Sequence, residues 1–246
     1  MNTIKDSPRG ADRKIAMIVG VLYIVGTVAG ILSLVFTGPI LEGPDSLAQV
    51  SAHPNQIVIG ALFVLTMGLA LAMMSVMIFP VLKKYNETLA VGYVLFRGGL
   101  EAVMYLALVI GWLALPLISQ EYSKATAANA AYFQSLGNFV LAVHAQIGHV
   151  LTIVFILGAL MFYYVLYQSK LVPRWLSGWG LLAAIPYFVA GVLGLFSLLS
   201  PMSSVQVVLD LPLALQEMVL AVWLIVKGFN SSSVNFQPAQ VAISQA

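Results

Sequence analysis

AVGYVLFRGGLEAVMYLALVIGWLAL, residues 90–115, holds an arginine and a glutamate four positions apart in a run otherwise suited to hydrocarbon. A run beyond ~18 apolar-dominated residues is a membrane-spanning helix by default. The rest of the chain agrees. It is 61% hydrophobic and 8% charged, with mean hydropathy +0.97, whereas soluble domains are roughly 25% charged. A soluble fold of 246 residues has too little interior to hide that much apolar surface, so the solvent is lipid.

Five further segments have the same character, and the spans are placed at 15–36, 56–79, 90–115, 140–167, 178–199 and 207–226. Helix is the only choice for each, because a backbone amide in lipid needs a partner within its own segment. The expected fold is all-α, a six-helix transmembrane bundle. Residues 1–14 form a basic leading segment, 15–229 a single transmembrane domain and 230–246 a disordered tail. The first span is too long for a signal-peptide core and reads as an uncleaved anchor.

Charge sets the orientation. Lys5, Arg9, Arg13, Lys14, Lys83, Lys84, Lys170, Arg174 and Lys227 fall in alternate loops and termini, and Lys124 alone lies in the others. The positive-inside rule then puts both termini in the cytoplasm of a cell-membrane protein. The cytoplasmic turns are short, so spans two and three, and four and five, form tight hairpins. The long outer loop, residues 116–139, is expected to contain an extra helical segment at the interface. Tyr163, Tyr164, Tyr167, Trp175 and Trp179 read as an aromatic belt, and Gly26 and Gly30 as small residues for helix packing.

Several functions are excluded or left without support. No basic and aromatic cluster marks a nucleic-acid partner. With no cysteine there is no disulfide, thiolate metal site or cysteine nucleophile. No cofactor motif or catalytic string is present, and the reading favours a non-enzyme whose partners are the bilayer and a small molecule or ion.

The charges inside the spans carry the functional reading. Helical rise puts Arg97 ~10 Å and Glu101 ~16 Å into the core, and Glu217 on the sixth span ~15 Å deep. Glu101 leans back toward Arg97, and the i,i+4 spacing lets them meet. A lone charge at a helix centre costs ~2.5–3.5 kcal/mol, so pairing is expected. One cation cannot neutralise two carboxylates, and a proton is the low-dielectric remedy. Arg97, Glu101, Glu217 and its neighbour Gln216 are therefore the candidate ligand or ion site of a carrier or sensor. A structural network in a partner-stabilising subunit, or an arginine snorkelling to the headgroups, remains open. A third reading is a metal-dependent hydrolase using His53, His144, His149 and Asp210 on the outer side. Against it, His144 and His149 lie about 140° apart around a helix.

The stretches GVLYIVGTVAGILSLVF (20–36), ALFVLTMGLALA (61–72), SKLVPRWLSGWG (169–180) and LPLALQEMVLAVWLIVKGF (211–229) resemble a prokaryotic membrane family, domain of unknown function 4386. The resemblance covers roughly residues 12–229, and its last two stretches are the specific ones. Arg97, Glu101, Pro173, Arg174, Trp175, Gly178, Gly180 and Glu217 fall inside matching motifs. It implies a multi-pass inner-membrane protein and no particular activity, substrate or cofactor.

Overall fold

The computed structural model describes residues 8–41, 45–199 and 203–230. All its regular elements are helical: α1 Pro8–Leu41, α2 Ser46–Ala52, α3 Pro54–Leu82, α4 Glu87–Tyr93, α5 Glu101–Lys124, α6 Ala127–Ser169, α7 Arg174–Leu195 and α8 Ser204–Val226, with a π-helical stretch Val94–Leu100 joining α4 to α5. Six helical rods are long and apolar enough to cross a membrane, and they correspond one to one with the expected spans. Fewer than half of the residues in each rod are buried, and Val21, Ile31, Leu69, Ile110, Leu182 and Val208 are all exposed. An apolar surface that wide matches hydrocarbon and not water. This is a multi-pass membrane protein.

The rods close into a ring in chain order. α1 packs on α3, α3 on α5, α5 on α6, α6 on α7, α7 on α8, and α8 returns to α1. Small residues bring neighbours close, as expected for helices that gain nothing from burying leucine in leucine-like lipid. At Gly26, a Cβ would stand 2.9 Å from the Leu71 side chain of α3, and at Gly30 one would stand 2.8 Å from Met67 sulfur.

Several boundaries differ from the sequence reading. The outer loop at 116–139 is helical, but as prolongations of α5 and α6 that meet at an extended break at Ala125–Thr126. The alanine-rich text there favours helix, so the rods run on beyond the lipid thickness. The fifth span ends at Leu195 and not at Leu199. Ser197 adopts φ 56° and donates its N–H to Gly194 O at 2.8 Å, while Leu198 N–H reaches Leu193 O at 2.9 Å. Those two bonds are a Schellman closure. The first rod begins within the basic leading segment, at Pro8. Lys5 and the tail from 231 lie outside the described residues.

One end of the ring collects the basic residues and both described chain ends. Arg13 donates to the carbonyls of Leu224 (3.2 Å), Ile225 (2.8 Å) and Val226 (2.9 Å), capping the negative end of α8. Lys84 pairs with Asp12 at 3.1 Å, and Asn230 N–H reaches Leu171 O at 2.8 Å. This end is called the basic end below.

Candidate functional site

The polar centre of the ring is built around the third rod. Val94–Leu100 is π-helical, so one extra residue enters the turn and everything after it is rotated by about 100° relative to a continuous α-helix. The stretch holds Gly98, where a Cβ would collide with Ser75 Oγ of α3. It leaves Arg97 and Glu101 both facing the ring's interior, 4% and 1% exposed.

Arg97 Nη1 donates to both carboxylate oxygens of Glu101, at 3.0 and 3.1 Å. Its Nη2 lies 3.7 Å from Glu217 Oε1 on α8, close enough for attraction but beyond a hydrogen bond. Glu217 instead accepts from the Tyr23 hydroxyl of α1 at 3.1 Å. The guanidinium lies over two aromatic rings, 4.5 Å from the Phe155 ring centre and 5.8 Å from that of Tyr23. Such faces supply cation–π attraction where water is excluded. Arg97 thus gives its well-formed hydrogen bonds to Glu101 and only a longer ion-pair contact to Glu217, which accepts one well-formed hydrogen bond, from Tyr23.

Beside these groups lies a partly open cleft of about 160 Å³. Every rod contributes to its lining: Thr27 from α1, Met67 from α3, Arg97 and Glu101 with Tyr105 from the third rod, Phe155 from α6, Tyr187 from α7 and Glu217 from α8. A cavity needs roughly 10–15 Å³ to admit one water-sized probe, so a small ligand has room here. The wholly buried Tyr163 hydroxyl lies beside Glu217 and Tyr23, and that of Tyr93 beside Arg97, but neither makes a hydrogen bond of good geometry among the described residues. Buried hydroxyls left open in this way call for a water or ligand oxygen.

A family model described as a domain of unknown function (DUF4386) matches residues 18–228. The chain belongs to that family. No curated protein and no solved structure matches it. In this DUF4386 protein, then, the reading of the site rests on the geometry.

The remaining candidates are dispersed. Gln216 is fully buried but turns to α7, donating to Leu176 O at 3.0 Å, and does not line the cleft. Residues adjacent on a helix point about 100° apart, so Gln216 ties α8 to α7 while Glu217 faces the centre. His144 stacks on Trp112, ring centres 5.0 Å apart. His149 is buried against Gly194, where a Cβ would strike its ring, and His53 is exposed between α2 and α3. Among the described residues no three His, Asp or Glu side chains gather into a metal-binding group, so the histidines and Asp210 form no zinc centre there.

The sequence reading missed the tyrosines. Tyr23, Tyr105 and Tyr187 are mid-span aromatics that look like ordinary core. Tyr163 was expected in the interfacial belt but is 0% exposed and turned inward, while Tyr164, Tyr167 and Trp175 beside it are exposed. The available signal was a tyrosine at the same helical level as the two glutamates.

Proposed function

We propose that this protein lies in the cell membrane with both termini cytoplasmic and handles a small monocation in its central cleft, as a carrier or sensor. The monocation is a proton, an alkali ion or a small protonated amine. The nine-to-one bias of loop cations supports the orientation. The carrying observation for the function is Glu217. It is the second carboxylate around one arginine, faces a cleft, and is held by one tyrosine hydroxyl while Arg97 bonds Glu101. With all three groups ionised the site has one excess negative charge in a low-dielectric interior, and a bound cation removes it.

A purely structural network would have its charges matched and no adjoining space. The test is thermal unfolding of the purified protein in detergent, titrated with acid, sodium, potassium and methylammonium. A species that binds the folded state raises Tm in a saturable way. The expected result is that at least one does so for the wild type, and that Glu217→Gln folds but loses the response. No response to any of the four, or an equal response in Glu217→Gln, defeats the proposal.

A further inference from the structure

Resting on that reading, we infer that the cleft has one mouth, at the end opposite the basic end, and that Asp210 is the side chain that draws the cation into it.

The cleft is closed toward the basic end. Below Glu217 and Arg97 lie Tyr23, Tyr93, Phe162 and Tyr163, none more than 2% exposed. Tyr93 stacks on Phe162 at 4.8 Å between ring centres, and Phe162 meets Tyr163 at 5.4 Å. Gly180 of α7 lets the Tyr163 ring come against its backbone, where a Cβ would stand 2.8 Å away. Beneath this aromatic layer the Arg13 bonds to α8 and the Lys84–Asp12 pair tie the rods together.

The lining extends the other way. α8 runs from Ser204 at the opposite end to Val226 at the basic end, so Asp210 stands two turns nearer the opposite end than Glu217. Seven residues bring the two carboxylates to nearly the same helix face, about 10 Å apart. Tyr187 bridges the interval. It lines the cleft, packs edge-on to Phe155 at 5.3 Å, and lies within electrostatic reach of Asp210, Glu217, Glu101 and Arg97. Gln206, one turn farther out, reaches Asp210 with its side chain, and its amide oxygen is buried without a partner. Asp210 is half-buried and no described cation pairs with it. A carboxylate at the rim of a low-dielectric opening concentrates cations there. The path therefore runs Gln206, Asp210, Tyr187, Glu217.

The chain has no cysteine, so a single introduced thiol reports without background. Thr27→Cys, in the cleft lining, is placed in membrane vesicles of each orientation. It is then treated with impermeant thiosulfonates, one carrying trimethylammonium and one carrying sulfonate. Modification is expected from the face opposite the termini and not from the terminal face, with the cationic reagent faster. Adding Asp210→Asn is expected to lower the cation-to-anion rate ratio on the order of tenfold, and Asp210→Glu to restore it. Labelling from the terminal face, or a ratio that Asp210→Asn leaves unchanged, overturns the inference. Neither readout depends on Glu217 binding, so a failure here is distinct from a failure of the proposed function.

Discussion

The protein buries charge in two places and treats it differently in each. At the basic end, Asp12 faces Lys84, whose side chain is 42% exposed, and Arg13 spends its donors on three helix-end carbonyls. Each group there has its counterpart, and the arrangement closes the ring where the chain begins and ends. In the centre, one guanidinium serves two carboxylates beside open space, and two tyrosine hydroxyls make no well-formed hydrogen bond among the described residues. Both arrangements hold rods together. Only the second has spare charge and room, and those are the marks of a place where something binds.

The largest effect should come from removing the shared cation. Arg97→Met leaves the buried Glu101 and the partly buried Glu217 without compensation and should cost about 3–5 kcal/mol in stability, as for other buried pairs cut on one side. Replacing Glu101 by Met in the same protein should recover most of it. Denaturant or thermal unfolding in detergent reads both, and a single variant as stable as the wild type would make the centre no more than a packed seam. Arg13→Met should cost less, about 1–2 kcal/mol, because α8 loses its cap while water can reach the freed carbonyls. If the two substitutions cost the same, the contrast between the regions is lost.

The smallest effect belongs to Tyr85, on the turn between α3 and α4. Burial, with the Asp12 carboxylate nearby, pushes its hydroxyl up to about 12. A folded-state value above the unfolded one favours the neutral form. Its contribution is therefore complete below roughly pH 10 and fades as pH rises through about 12. The alkaline limb of a stability profile should be slightly flatter in Tyr85→Phe. An unchanged limb would put Tyr85 in water.

How much of this was legible depends on which physical signal the text carries. A spanning helix must be apolar for its whole length, so all six rods could be read, and loop lysines marked their shared end. The shared depth of Glu101 and Glu217 on the third and sixth rods was also legible, because depth along a helix is fixed by residue count, whereas the direction in which Glu217 faces was not. The π-helical stretch was not. Bonding from i to i+5 has no composition of its own. Helix ends were misplaced because lipid thickness limits where a rod must be apolar, not where helix must stop. The tyrosines were obscured by chemistry, since a ring with a hydroxyl suits a headgroup boundary and a polar core equally. Tyr163 and Tyr164 are neighbours in sequence and face opposite environments.

The central claim is that Glu217 is an uncompensated carboxylate whose charge is cancelled by whatever occupies the cleft. Infrared spectroscopy of the ion-free protein at neutral pH tests this most directly, through the carbonyl stretch of a protonated carboxylic acid. One such band is expected, absent in Glu217→Gln and unaltered in the exposed control Glu121→Gln; it fades on adding sodium, potassium or methylammonium where one of these raises Tm, and grows on acidification where the proton does. An ion-free protein without that band, or a band that persists in Glu217→Gln, would contradict it.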